Sequence, residues 1–226
     1  MSISLSGRYF GLCEYSQALD LQQQYVEIAR EGPQAFLIGF EHPSVVTLGI
    51  RATTNDLKIS EEELQSKEVA LARIDRGGEA TLHSPGQLVI YPILPLQRLG
   101  LNVREFVEKL EMTAISFFGS FGVTTTKGVG APGIYSMKGK MGFIGIRVKN
   151  GVSYHGISLN ICNDLSLFQM IRSCGKEKEN FDQLSQYGVN ASQMQLFEIF
   201  KEHFQFHFKE FFVSEASLLT EASRQV

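Results

Sequence analysis

Arg76-Gly-Gly-Glu-Ala-Thr-Leu-His-Ser-Pro-Gly-Gln-Leu-Val-Ile-Tyr-Pro-Ile-Leu94 is the stretch from which the fold of this chain is read. It reads as a strand from Ala80, a Pro85-Gly86 turn and a second, strongly apolar strand toward Leu96. Just upstream, Val69 to Ile74 is a further strand candidate that runs almost directly into Arg76-Gly77-Gly78. Ala35–Phe40 and Val45–Leu48 read as two strands joined across the Pro turn Glu41–Ser44. Before them, Ala18, Leu21, Tyr25, Ile28 and Ala29 share one face of a helix over Tyr15–Arg30, with Ser16 as its cap and Gly32-Pro33 as its stop. Downstream, Asn102 opens a helix that places Val103, Phe106, Val107, Leu110, Ala114, Ile115 and Phe118 at helical spacing and ends at Gly119 and Gly122. Gly-punctuated strands follow at 133–136, 143–148 and 153–161, with turns at 137–139 and 149–151. Lys176 to Tyr187 is polar and reads as a loop, and Ser192 to about His203 as a helix, after which Phe204–Phe208 either continues it or switches to strand. No repeat or linker interrupts the pattern. The expectation is one α/β (α+β) domain over residues 1–226, a mixed β-sheet flanked by helices.

Composition narrows the function classes. The 226 residues are 43% hydrophobic and 20% charged, with 17 Phe and no Trp, as in ordinary globular chains. A net charge of −3, from 21 Lys+Arg and 24 Asp+Glu, gives no global attraction to nucleic acid. The longest apolar stretch, Leu88–Leu96, is broken by Pro92 and Pro95 and falls well short of the roughly 20 residues of a membrane helix. The opening residues lack the pattern of a secretory signal, which makes the cytoplasm the expected compartment. Cys13, Cys162 and Cys174 cannot all pair, and none has zinc-ligand spacing. His203 and His207 stand four apart without a clear third ligand, so neither metal nor cofactor is expected.

The candidate chemistry centres on Arg76–His83. Paired glycines let a backbone approach a ligand, and Arg76 and His83 can bind a polar substrate atom. The same residues also read as a Gly-Gly bulge and a hairpin turn with a solvated Arg and a hydrogen-bonded His. The segment is neither a P-loop nor a GxGxxG dinucleotide motif. Of the cysteines, Cys174 has Gly175 beside it for access and Arg172 and Lys176 to favour a thiolate, whereas Cys13 and Cys162 read as small buried hydrophobes.

Arg76–Gln87 resembles the RGGxxTxHGPGQ motif of the lipoyl(octanoyl) transferases, and Leu88–Leu94 their LVxYPI run. Further matches follow in Glu41-His-Pro43, Thr47-Leu-Gly49, Gly139–Val148, Tyr154–Asn160, Asp164-Leu-Ser166 and Cys174-Gly175. The resemblance covers about residues 8 to 175. It implies the lipoate/biotin protein ligase catalytic fold and an enzyme that moves an octanoyl group from acyl carrier protein to a lysine of a lipoyl domain. By the resemblance Cys174 is the acyl-thioester nucleophile and Lys140 the residue that lowers its pKa. Substrate contacts fall on Arg76, Gly77, Gly78, Glu79, Ala80, Thr81, Leu82 and His83, on Phe143, Ile144 and Gly145, and on Gly156, Ile157 and Ser158. The glycine-containing strands are expected to leave room for the acyl chain, whose burial is worth on the order of 0.8 kcal/mol per methylene. The implied acceptors are the lipoyl domains of 2-oxoacid dehydrogenase E2 subunits and the glycine cleavage H protein. An acidic carrier would meet a local basic patch at Arg172, Lys176 and Lys178. No nucleic acid or membrane partner is implied, and the protein is expected to act as a monomer.

Three positions depart from the family pattern: Ser84 in place of Gly, Ser173 in place of Pro, and Lys176 in place of an apolar residue. An ATP-dependent lipoate-protein ligase is the nearest alternative, but the chain lacks both the GRGRxGR run and the RR…GGG segment. An octanoyl amidotransferase would not carry its cysteine after the Asn160…Asp164-Leu-Ser166 block. A non-catalytic acyl-binding module would not need both Cys174 and Lys140.

Overall fold

In the computed structural model, which describes residues 3–172 and 179–213, the Leu88–Leu94 run becomes a strand at the centre of the molecule. Among the described residues the chain runs β1 (Ser4–Leu12), α1 (Tyr15–Glu31), β2 (Gln34–Glu41), β3 (Val45–Leu48), α2 (Glu61–Ser66), β4 (Ala70–Arg73), β5 (Ala80–His83), β6 (Gln87–Ile93) and α3 (Leu96–Leu99). It continues through α4 (Val103–Gly119), β7 (Thr126–Lys127), β8 (Gly133–Tyr135), β9 (Lys140–Lys149), β10 (Val152–Asn160) and α5 (Gln193–His207). Seven strands form one mixed sheet in the order β1-β2-β6-β10-β9-β8-β7, and β4-β3-β5 form a smaller one.

Every residue of β6 is buried, and it pairs antiparallel with β2 on one side and β10 on the other. Alternation then sorts its side chains. Val89, Tyr91 and Ile93 pack under α1 with Ala18, Val26 and Ala29, while Leu88 and Ile90 join a core with α4 and α5 that contains Phe106, Phe117, Phe200 and Phe204. A strand covered on both faces reads as a continuous apolar run, which is the physical origin of the signal at Leu88–Leu94.

The helices start where their caps dictate. Asn102 and Ser192 each form a reciprocal capping box, with Glu105 and Gln195 respectively. Ser16 does not cap α1: the helix begins at Tyr15, and the capping position, Glu14, makes no side-chain cap hydrogen bond. The Phe204–Phe208 ambiguity resolves as helix through His207, because Phe200, Phe204 and Phe208 at four-residue spacing all enter the core. Residues 150–151 turn the β9–β10 hairpin with Asn150 at φ 51° and Gly151 at φ 78°, the twist a two-residue hairpin requires. Within the expected 176–187 loop, Leu184–Tyr187 is a single 3-10 turn.

The strands on either side of Glu41–Ser44 are not a hairpin. β2 belongs to the large sheet and β3 to the small one, so the turn carries the chain between sheets. β1 was not legible as a strand. It lies parallel to β2 at the sheet's edge, with a register shift between Tyr9 and Leu12 and Gly11 at φ 77°. The opposite edge, β7, is two residues long. No helix of the described residues is long and apolar enough to cross a membrane.

Candidate active site

A cavity lies where the small sheet meets the large one. Strand β5 pairs antiparallel with β3, and the loop before it is pinned to three places at once. Gly49, Ile50 and Arg51 donate backbone hydrogen bonds to the carbonyls of Glu79, Arg76 and Gly78, and Gly77 N–H donates to Ile146 of β9 at 3.0 Å. The approach at Gly49 leaves no room for a Cβ, which would stand 2.4 Å from the Gly78 carbonyl oxygen. Arg76 is buried. Its guanidinium donates to Thr47 Oγ1 and to the Thr47 carbonyl at 2.6 Å, and to the Gly77 carbonyl at 3.0 Å, so it holds the loop to β3. A solvated arginine, one sequence reading, is therefore excluded.

Of the residues the sequence singles out, Arg76, Gly77, Gly78, Glu79, Ala80, Thr81, His83, Lys140, Phe143, Ile144, Gly145, Gly156, Ile157 and Ser158 all line this cavity. Leu82 does not. Alternation along β5 turns it into the small-sheet core with Val46 and Leu48. Glycine at 145 and 156 has another reason than room for an acyl chain. A Cβ at Gly145 would meet the Gly77 carbonyl at 3.0 Å, and one at Gly156 the Ile90 carbonyl at 2.2 Å. Neighbouring backbone fills those spaces. The sequence reading missed Tyr15, Val89, Tyr91 and Pro132 as lining residues, and His155, a candidate histidine within the matched Tyr154–Asn160 block, lines the cavity too. Tyr91, a hydroxyl-bearing side chain inside an aliphatic run, was the available signal.

Lys140, at 1% exposure, is more deeply buried than Arg76, the other buried charged side chain of the cavity. Its Nζ lies 3.8 Å from Glu179 Oε2 and 4.7 Å from the centre of the Phe143 ring. Tyr135 Oη donates to the other oxygen of Glu179 at 2.9 Å. Such a cation is held by a buried carboxylate and aromatic faces rather than by water.

Three buried histidines line or underlie the floor. His42 Nδ1 bonds the Cys13 carbonyl at 2.7 Å and its Nε2 the Tyr91 hydroxyl at 2.8 Å. Since a carbonyl only accepts, Nδ1 donates and Nε2 accepts from Tyr91. His83 bonds Gln87, and His155 Nε2 lies 3.1 Å from Asp75 Oδ1. Burial pushes all three below the ordinary histidine range, His42 and His155 to about 4 and His83 to about 3, the last also through His42 nearby. They are neutral at pH 7. Asp75 is pushed up by partial burial, but hydrogen bonds from Tyr154 and His155 outweigh this and hold its carboxyl below the usual range. His155 has φ 54°, a left-handed backbone uncommon outside glycine. Among the described residues no three His, Cys, Asp or Glu side chains are placed to hold a metal ion. His207, one of the pair weighed as ligands, bonds Ser116 Oγ.

The catalytic-domain model of the lipoyl protein ligases A and B matches residues 14–214. The chain belongs to this family. An octanoyltransferase from Pseudomonas putida is 37% identical over 175 residues, covering 77% of this chain and 79% of the relative. An octanoyltransferase from Halorhodospira halophila is 39% identical over 168 residues, 74% of this chain and 75% of that one. In fold, the chain matches a bipartite lipoate protein ligase from Thermoplasma acidophilum with a TM-score of 0.71 at 14% identity, over 98% of this chain and 91% of the other. Within the lipoyl protein ligase A/B family the chain is thus an acyltransferase of the octanoyltransferase type.

Cys174, with its neighbours Ser173, Gly175, Lys176 and Lys178, lies outside the described residues. Arg172, the described member of the expected basic patch, donates to the Asn55 carbonyl. Cys162 is exposed and Cys13 half-buried, so neither is the buried small hydrophobe the sequence suggested. Ser84, where the family pattern has Gly, is buried and does not adopt a positive φ. The tight geometry falls two residues later: Gly86, at φ 86°, follows Pro85, and Gln87 N–H closes the turn onto the Ser84 carbonyl at 3.1 Å. Gly86 N–H also donates to Glu41 Oε2 at 2.8 Å, which ties the turn to the end of β2.

Proposed function

We propose that this acyltransferase takes an octanoyl group from octanoyl-acyl carrier protein and delivers it to a specific lysine of lipoyl domains through a thioester on Cys174. The names of its relatives support octanoyl transfer, acyl donors and lipoyl-domain acceptors in general. The observation that carries the finer reading is Lys140, a desolvated cation on the wall of the cavity formed with Arg76–His83.

In the first half-reaction the Cys174 thiolate attacks the donor thioester. A new C–S bond forms, the old one breaks, and the carrier's sulfur leaves with the electron pair and takes a proton from the Lys140 ammonium, which leaves Lys140 neutral. Exchange of one thioester for another is nearly isoenergetic, so the step calls for no ATP. In the second, the acceptor amine forms a C–N bond, the enzyme C–S bond breaks, and one amine proton passes to neutral Lys140. The thiolate and ammonium of the resting pair are thereby restored. In this reading Arg76–Ser158 lining residues bind the acyl chain, residues 1–226 are one catalytic domain, no cofactor takes part, and the enzyme works as a cytoplasmic monomer on E2 and H-protein lipoyl domains.

The test is intact mass after incubation with octanoyl-acyl carrier protein in the absence of ATP. One octanoyl adduct, missing in Cys174→Ser, is expected. An adduct that forms only with ATP would make the protein a ligase, and none in either case would leave only a binding module.

A further inference from the structure

The hydrogen bonds behind the cavity wall determine which nitrogen of His83 carries its proton. Asn160, fully buried at the end of β10, directs Nδ2 at two carbonyl oxygens, Lys140 at 3.3 Å and Asp182 at 3.2 Å. Carbonyls only accept, so the amide nitrogen must be on that side. Its Oδ1 therefore faces Gln87, 3.0 Å away, and also accepts from Asn163 at 3.3 Å. Gln87 must present its own amide nitrogen to that oxygen, which turns its Oε1 toward His83 Nδ1 at 2.7 Å. An amide oxygen only accepts as well, so Nδ1 bears the hydrogen. The remaining ring nitrogen, Nε2, has a lone pair on a residue that lines the cavity.

The same asparagine grips the backbone of Lys140. The two cavity groups able to handle an amine are thus joined through Asn160 and Gln87, although 57 positions of sequence separate them. We propose that Asn160 and Gln87 are positioning residues that lock His83 in the Nδ1–H tautomer, so that Nε2 accepts a hydrogen bond from the incoming acceptor lysine and aims its nitrogen lone pair at the acyl carbon. This rests on the transferase reading above. His83 takes no proton in the step. The amine's lone pair becomes the C–N bond, the C–S pair returns to sulfur, and the released proton goes to Lys140.

His83 is suited to accept and not to act as a base, because burial and the nearby rings keep it unprotonated throughout the neutral range. The titratable groups that face it are Tyr15 of α1, stacked at 5.9 Å, His42 beyond β2 at 5.8 Å, Arg76 before β5 and His155 of β10. None of these brings a negative charge to Nδ1. Gln87→Glu does: the carboxylate still accepts from Nδ1–H, but it favours the doubly protonated ring, which has no acceptor left.

Two measurements test the proposal. In 15N-histidine-labelled wild-type protein, His83 is expected to show a protonated Nδ1 and a bare Nε2 from pH 5 to 8. A proton on Nε2, or exchange between tautomers, overturns the proposal without bearing on the transferase reading. In single-turnover assays with octanoyl-acyl carrier protein and then a lipoyl domain, His83→Ala should slow transfer to the amine about 10- to 100-fold more than it slows formation of the acyl-enzyme. Gln87→Glu, whose carboxylate cannot donate to Asn160 Oδ1, should transfer more slowly than wild type at pH 8 and lose about a further tenfold by pH 5.5, with a new acid limb absent from wild type. Equal slowing of both half-reactions, or no new limb, assigns His83 a structural role and sinks the proposal. If the wild type forms no acyl-enzyme, the transferase reading fails, while the tautomer is still decided by the labelled spectrum.

Discussion

The two faces of the large sheet are built from the same strands and do opposite work. On the α4–α5 face, β6 and β2 contribute Leu88, Ile90 and Leu37 to a dry core dominated by Phe106, Phe117, Phe118, Phe200, Phe204 and Phe208. Under α1 and toward the cavity, the alternate residues meet His42, Tyr91, Tyr15 and His83, whose rings stack and hydrogen-bond beside the aliphatic packing of Val89 and Ile93. The first face gains stability from burying apolar surface. The second spends some of it on keeping polar rings desolvated and uncharged beside the cavity.

Acid should break this contrast most. His42, His83 and His155 have depressed pKa values in the fold but titrate near 6.5 once unfolded, so below that pH the unfolded chain binds more protons. Their neutral state is compatible with full stability above about pH 6.5, and stability falls as the pH drops toward 4. At about 1.4 kcal/mol per pH unit for each histidine, about 5 kcal/mol should be lost between pH 7 and 5, read from urea denaturation at each pH. A flat profile would mean that the rings are not buried in solution.

Phe200→Ala, on the dry face, should cost about 3–5 kcal/mol at pH 7 without changing the slope of stability against pH. Its residual activity per folded molecule should match wild type, since Phe200 does not line the cavity. A loss of acyl-enzyme formation beyond the unfolded fraction would show that the two faces are coupled. The smallest effect is at the exposed first turn of α4, on the apolar face but away from the cavity. Asn102→Ala removes the α4 capping box and should cost about 1 kcal/mol, with the acid loss unaltered.

The same division sets how much could be read from the sequence. Periodic apolar signals revealed α1, α4, α5, β6 and β10, because what they record is burial, and burial repeats every two or 3.6 residues. The Arg76–His83 loop, Lys140 and the two glycine-bearing strands were found through motif resemblance, and the fold brings them to one cavity. The polar layer behind them was not legible. His155 meets Asp75 from 80 positions away and Gln87 meets Asn160 from 73, and no local pattern encodes such pairings. The transfer of the chain between sheets at Glu41–Ser44 was hidden for a similar reason. A Pro turn looks alike whether the next strand folds back or leaves.

The ends of the large sheet have a consequence for how the molecule meets other copies of itself. A seven-stranded sheet has two rims at which another strand could add, and rows of open backbone donors there are the usual start of aggregation. Here one rim is β7, too short to template anything, and the other is β1, whose bulge at Gly11 interrupts the flat run and whose Arg8 lies over Phe10. The irregularities at the sheet's margins therefore shorten the run that an added strand could pair with, beside interior strands that are as apolar as the fold demands.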